Sequence, residues 1–541
     1  MLYLVAGLLA IAAATTFADR LGVAAPLLLV LLGTGASLLP WTPDVEVEPE
    51  WILTGVLPPL LYSASAALPA MDFRREFGTI RGLSVVLVVV SSLVLGLFLS
   101  WALDVGLAWG VALGAVVSPT DAVATSIVKR LGVSPRAVTM LEGESLLNDA
   151  TALVLLRAAI AGTAASVSLW GVAGRFAYAV AVAVVLGAVV GRLGLLVRAR
   201  VGDVTVSTVL SFTVPFLAAV PADELGASGL VAAVVAGLVT GRGAARVLPP
   251  RHRLSDAQNW RTVELVLEGA VFLVMGLELA GVVDDVRADH AGTGTALVVA
   301  AGALALTVAV RACYVGLLLA GLQGRTRRGA AMRPRLTAMR QRIDAGQGPY
   351  TGRRARRRQR PRDLVRIRER IDRGLADIEH FLAQPLSWRE GSVVVWAGMR
   401  GAVTLAAAQT LPADAPDRSS LVFIAFLVAA GSLLLQGGTL PWVVRLVRPA
   451  RAAEPDGAER DAVLALLADA AARVPAPASG DRPAVVAHRL AVIAAQRDAL
   501  LDARDDGAFS AGALTAALTT LDADQLSIEL RATPVGVDSS R

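Results

Sequence analysis

The run LAWGVALGAVVSPTDAVATSIV, residues 107–128, is an apolar segment of membrane-spanning length with a proline and an aspartate near its middle. About 20 such residues in a helix cross the hydrocarbon core of a bilayer. Pro119 lacks a backbone donor and crowds the preceding turn, so the helix is expected to break between Ser118 and Asp121. A break at that depth is tolerated only where it is buried in protein or lines a wet cavity. The carbonyls it frees, with the Asp121 carboxylate, are good oxygen ligands for a small alkali ion. The fold this implies is an all-α integral membrane protein with polar groups at its centre.

The next apolar segment carries a denser anomaly, LEGESLLNDA at residues 141–150, which holds Glu142, Glu144 and Asp149, with Arg157 further along. Each charge at the bilayer centre costs about 2.5–3.5 kcal/mol even on lenient insertion scales, so the four need a reason to be there. Helical spacing puts Glu142, Ser145 and Asp149 on one face and Glu144 and Asn148 on a neighbouring one. One such face can hold a cation. A third anomaly lies at Gly398–Gly401, where two glycines weaken a helix around Arg400, a guanidinium near mid-membrane that needs a carboxylate partner.

The rest of the chain agrees with this reading. It has 541 residues, 55% hydrophobic and 18% charged, with a mean hydropathy of +0.61, more apolar surface than soluble cores could bury. The net charge of +6 is concentrated in loops, which argues against a nucleic-acid partner. Cys313 is the single cysteine, so no disulfide or thiolate cluster forms within one chain. His252, His290, His380 and His488 fall outside the apolar spans and make no metal cluster. The first apolar stretch lacks a basic start and is read as a span, not a cleaved signal.

A 20-residue window picks out about thirteen spans: 2–17, 23–40, 51–69, 82–103, 107–128, 139–163, 169–197, 204–220, 225–241, 262–283, 294–320, 390–411 and 419–447. Loops after odd-numbered spans are basic (Arg74, Arg75 and Arg81; Lys129, Arg130 and Arg136; Arg242 to Arg261), and those after even-numbered spans are acidic or neutral, as in Asp44–Glu50. Basic loops stay in the cytoplasm, which places the N-terminus outside and the C-terminus inside. A basic cytoplasmic insert, 321–388, contains the arginine run 353–360, read as a solvated loop with anionic lipid as the sharper alternative. The tail, 450–541, has apolar residues at helical spacing (Val463, Leu466, Leu467, Leu490, Ile493) and reads as a small helical module.

Taken together, SPTDAVA (118–124), EGESLLNDA (142–150) and WAGMRGAVTLA (396–406) resemble the monovalent cation/proton antiporter family, which includes bacterial sodium/proton antiporters and animal sodium/hydrogen exchangers. EGAVFLVMGLEL (268–279) and, in the tail, ALLDARDDGAFS (499–510) are similar to that family too. The resemblance implies a thirteen-span antiporter domain over residues 1–447 built from inverted repeats. In it a dimerising scaffold (2–69 and 169–283) carries a moving core (82–163 and 294–447) whose fifth and twelfth spans are discontinuous and cross.

It further implies Na⁺ held at Asp149 and Asp121, with Thr120, Ser145 and Asn148 completing the ion and proton site. Glu144 and Arg400 would form a structural ion pair, and Asn148 before the essential aspartate accompanies electroneutral exchange. No cofactor is implied: sodium, with lithium as a second cargo, and the proton are transported, for pH and sodium homeostasis. The partners are the monovalent cation, the proton, the bilayer and a second copy in a homodimer. The chain departs from the family at Tyr62, Ser63 and Ser65, where some members place another acidic ligand, and in the length of the 321–388 insert.

Potassium/proton exchange is the alternative within transporters; a cation channel and an intramembrane aspartyl protease are remoter. Lys129 is the only lysine among 51 Lys and Arg, which with the alanine content points to a GC-rich bacterial source and a multi-pass inner-membrane location.

Overall fold

The computed structural model describes residues 2–40, 47–164, 169–288, 293–345, 361–450, 457–477 and 479–532, and their regular structure is helical, with no β-strand among them. The arginine run 353–360, His290 and residues 41–46 lie outside the described residues.

In chain order the helices are α1 (Leu2–Leu21), α2 (Ala25–Ser37), α3 (Leu57–Ala67), α4 (Ala70–Arg81), α5 (Val88–Leu103), α6 (Leu107–Val117), α7 (Val123–Arg130) and α8 (Pro135–Ala164). They continue with α9 (Leu169–Arg198), α10 (Val204–Glu224), α11 (Gly229–Val247), α12 (Pro250–Leu277), α13 (Leu279–Ala288), α14 (Thr293–Asp344) and α15 (Pro361–Ala383). The last are α16 (Trp388–Trp396), α17 (Ala402–Gln409), α18 (Arg418–Ser432), α19 (Gly438–Val447), α20 (Gly457–Ala472), α21 (Arg482–Asp506) and α22 (Ala511–Ala532). A short π-turn at Trp51–Val56 leads into α3, and others at Gly82–Leu87 and Leu433–Gly437 join α4 to α5 and α18 to α19 without a break.

Local sequence accounts for many of the starts. Proline opens α8, α12 and α15, where the missing N–H is not needed. Ser387 and Glu390 form a reciprocal capping box at the head of α16, the Ser387 N–H donating to Glu390 at 2.7 Å. Among the described residues, eight helical segments are long and apolar enough to cross a membrane, and shorter apolar helices cover Leu2–Ala18, Ala25–Ser37, Trp51–Ala67 and Leu107–Val117. Two segments read as single spans are interrupted: α6 and α7 by residues 118–122, and α16 and α17 by residues 397–401.

The chain divides into two compact units. The first holds residues 1–243, 255–319 and 386–452 and contains both interrupted segments. In it α5 and α6 pack backbone to backbone, because a Cβ added at Gly110 would overlap the Gly96 carbonyl and one at Gly114 the Ser92 carbonyl. This contact fixes the first half of the broken helix. Gly110→Val should therefore cost about 1–3 kcal/mol through overpacking, read by thermal unfolding in detergent. A loss below about 0.5 kcal/mol, the range of surface changes, would show that the two helices are not held by this contact.

Elsewhere in the first unit, Arg198 is buried and donates to Ser207 at 3.1 Å and pairs with Asp256, while Trp260 donates to Ser211 at 2.9 Å. Tyr62 packs on Trp260 with ring centroids 5.2 Å apart, so this departure residue belongs to a packed aromatic cluster.

The second unit holds residues 244–254, 320–385 and 453–541. Helix α14 does not end where its apolar stretch does; it continues to Asp344 through Pro334. Its polar half runs antiparallel to α15, with Arg333–Glu379 at 2.9 Å, Arg340–Asp372 at 3.1 Å and Asp344–Arg368 at 3.2 Å. Exposed pairs of this kind contribute only about 0–1 kcal/mol each, so they set register more than stability. The tail helices α20–α22 share a core of Val463, Ile493, Leu500, Leu514 and Leu521. Arg246 pairs with Asp502 and Asp505 at 3.0 Å each, and Arg253 and Arg497 both engage Asp522.

Candidate functional site

The two breaks meet. The backbone N–H of Asp121, in the first break, donates to the carbonyl of Met399, in the second, at 2.8 Å. Asp121 is partly buried, and its carboxylate accepts the Val123 N–H at 3.0 Å beside the start of α7, where the helix dipole favours a negative charge. Gly401 is required beside it, since a Cβ there would overlap the Asp121 carboxylate.

Arg400 performs the complementary task at the other polarity. Its guanidinium donates to the carbonyl of Val117 at 2.8 Å, to that of Ser118 at 3.1 Å and to that of Gly398. Two of these acceptors form the C-terminal end of α6, where freed carbonyls and the helix dipole attract a cation. The Arg400 N–H in turn donates to Ser432 Oγ on α18 at 2.6 Å.

Helix α8 supplies the remaining groups. Asn148 is fully buried, and its amide nitrogen donates to both the carbonyl and the hydroxyl of Thr120, at 2.8 and 2.7 Å. The Thr120 hydroxyl donates to Glu144 at 3.1 Å. Glu144 then receives both terminal nitrogens of Arg311 from α14, one at 2.8 Å, while Arg311 Nε donates to the Val394 carbonyl at 3.0 Å. The result is one continuous chain of hydrogen bonds, Asn148 to Thr120 to Glu144 to Arg311, that ties α8 to both broken helices.

This corrects the expected pairing. Glu144 is joined to Arg311 and not to Arg400. Arg311 brings its planar fork square onto the carboxylate, the bidentate geometry that compensates best for burial. Arg400 needs no carboxylate contact because the breaks surround it with backbone acceptors.

Asp149 is different from its neighbours. Although it is 7% exposed, among the described residues no side-chain hydrogen bond or ion pair engages its carboxylate. It lines a small cavity with Pro119, Ala115, Ala152, Val403 and Ala407, between α6, α8 and α17. The Asp121 charge acts on it electrostatically. Ser145, one turn before, donates to the Glu142 carbonyl at 3.2 Å and keeps its oxygen lone pairs as acceptors. Of the residues singled out from sequence, Asp121, Thr120, Asn148, Glu144 and Arg400 gather at the crossing, and Asp149 opens on the cavity beside it. Arg311 and Ser432 join the crossing without having been assigned to it.

A sequence model of the family described as sodium/hydrogen exchanger, transmembrane, matches residues 7–446. The chain belongs to the sodium/hydrogen exchanger family. A relative named an uncharacterized Na⁺/H⁺ exchanger, from Mycobacterium tuberculosis, is 30% identical over 83% of this exchanger and 74% of its own length. A Na⁺/H⁺ antiporter of Halobacillus aidingensis is 27% identical over 77% of this chain and 90% of its own. The solved sodium proton antiporter MjNhaP1 of Methanocaldococcus jannaschii has the same fold, with a TM-score of 0.56 at 16% identity over 82% of this chain and 97% of that one. The exchanger is thus a multi-pass membrane transporter with bacterial relatives, and its crossed broken helices lie within the matched region.

Glu278 accepts from Gln409 at 3.1 Å and from the Val47 N–H at 3.4 Å. It therefore ties the C-terminal end of α17 to the junction of α12 and α13 and does not enter the crossing.

Proposed function

We propose that this exchanger carries Na⁺ against H⁺ in a one-for-one, electroneutral cycle, with Asp149 as the group that holds either ion. The observation that carries the reading is the Asp149 carboxylate, buried beside the crossed breaks, facing a cavity and free of a protein partner among the described residues. A carboxylate so placed takes a proton or a cation, and loading one requires losing the other. When sodium enters, the O–H bond of the protonated carboxyl breaks, the proton leaves into the cavity, and Na⁺ takes its place on the carboxylate oxygens.

Asp121 adds negative charge to the site, and the hydroxyl oxygen of Ser145 and carbonyls of the first break are available as neutral ligands. Asn148 brings no charge of its own, so the site changes by one charge per ion. Alternating access then moves the loaded site from one face to the other, and the ion gradient is the energy source. The reading includes an outside N-terminus, supported by the basic loops, and a homodimer. Potassium remains the competing cargo, since a Bacillus pumilus relative, 25% identical over 77% of this chain and 57% of its own, is named a sodium, potassium, lithium and rubidium/H⁺ antiporter.

The test is purified protein in liposomes holding a pH-sensitive dye, with Na⁺, Li⁺ or K⁺ added outside. Sodium should drive proton efflux that clamping the membrane potential at zero leaves unchanged. Flux with potassium alone would transfer the role to potassium, and no cation-driven flux would end the reading.

In the same assay Asp121→Asn keeps an oxygen for the Val123 N–H and loses a charge. It should weaken the apparent sodium affinity about tenfold or more while retaining measurable turnover, since one charge near a buried cation is worth at least about 1.4 kcal/mol. Unchanged affinity would remove Asp121 from the site.

A further inference from the structure

Gln436 is 1% exposed, and neither its amide nitrogen nor its amide oxygen has a hydrogen-bond partner among the described residues. Burying such a group unpaired is costly, because the hydrogen bonds it made to water are not replaced. It lies in the π-turn Leu433–Gly437 that links α18 to α19, and single π-turns inside helices are frequent at functional sites.

Its neighbours in the chain touch the second break. Ser432, four residues before, accepts from the Arg400 N–H at 2.6 Å. A Cβ on Gly437 would lie 3.4 Å from Met399 Sδ. Thr439, three residues after, accepts from the indole of Trp396 at 2.8 Å. The π-turn therefore runs along residues 396–400, and within the turn it is Gln436 whose amide has neither donor nor acceptor partner among the described residues.

We infer that Gln436 is a positioning residue for the second broken helix: its amide bonds the peptide groups of the 397–401 break in the opposite-facing state and releases them in the state described above. Peptide groups at a break lack helical partners and can take such bonds in one arrangement and not another. An interaction made in one state and absent from the other shifts the equilibrium between them by its full differential value. The inference rests on the exchange reading, because a protein that does not alternate has no second state for the amide to serve.

The test uses the full chain in liposomes, comparing wild type, Gln436→Met and Gln436→Asn for turnover, half-saturating sodium and thermal midpoint. Gln436→Met removes both hydrogen-bonding atoms at similar volume. Turnover should fall about tenfold, the effect of about 1.4 kcal/mol on one state, with half-saturating sodium within about twofold of wild type. The thermal midpoint should hold or rise, because an unpaired buried amide has been removed. Gln436→Asn, which retains the amide on a shorter stem, should recover part of the turnover.

Unchanged turnover in Gln436→Met would overturn the inference, as would a fall in turnover matched by a fall in midpoint. A rise in half-saturating sodium at constant turnover would also overturn it, by making Gln436 a cation ligand. If Gln436→Met does not fold, Gln436→Asn decides alone: reduced turnover at a wild-type midpoint supports the inference, and wild-type turnover defeats it. Wild-type protein that moves no protons with sodium defeats the exchange reading instead, which keeps the two failures apart.

Discussion

Asp149→Asn should reduce cation-driven proton flux to the level of protein-free liposomes while leaving a folded protein. The substitution is nearly isosteric and removes only the charge and the titrating oxygen. Among the described residues nothing else binds this carboxylate, so no hydrogen bond is lost with it. An unpaired buried carboxyl is replaced by an unpaired buried amide of nearly the same size, so the stability should be nearly unchanged. Loss of function at an unchanged thermal midpoint separates a transport residue from a structural one. Retained coupling in Asp149→Asn would assign the exchangeable site to another group, and a collapsed fold would mean that the carboxylate has a structural partner.

The second large effect is expected at the Glu144–Arg311 pair. Both side chains are almost completely buried, at 2% and 3% exposure. Removing one partner leaves the other as an uncompensated charge, a loss of about 3–5 kcal/mol, so Glu144→Gln and Arg311→Met should each unfold early in detergent. The double variant should recover most of that loss, because a buried pair replaced as a unit is often nearly neutral. The corresponding cycle between Glu144 and Arg400 should give a much smaller coupling, since Arg400 contacts Val117, Ser118 and Gly398. A larger coupling to Arg400 than to Arg311 would reverse the correction made above.

Both breaks were legible in the chain because each has a local chemical cause. Pro119 cannot continue a helix, and Gly398 and Gly401 weaken one, so the interruptions at 118–122 and 397–401 follow from residue type. The concentration of charge in LEGESLLNDA was equally plain, because charge in an apolar span has no inexpensive explanation. The partner of Glu144 was not legible. Arg311 and Arg400 each lie in an apolar segment with no acidic residue within one turn of either, so spacing gives both the same need.

What separates them is tertiary. The carbonyls freed by the first break surround Arg400 only once the two broken helices have crossed, and Arg311 is then the guanidinium left for the carboxylate. Helix α14 shows the same limit from another side: its apolar pattern ends near residue 320, yet the helix continues to Asp344 because α15 gives its polar half a partner. Gln436 carried no signal at all, since a glutamine in an apolar span becomes informative only when its surroundings are seen to lack a partner.

The account turns on a single site that holds either a proton or a cation, and the direct test is proton release on binding. Purified protein in weakly buffered detergent solution is titrated with NaCl at several pH values, and the released protons are counted against bound sodium. The account predicts about one proton per ion at pH values where the carboxyl starts protonated, with apparent sodium affinity falling about tenfold for each unit of further acidification. Sodium binding without proton release, at an affinity independent of pH, would contradict it.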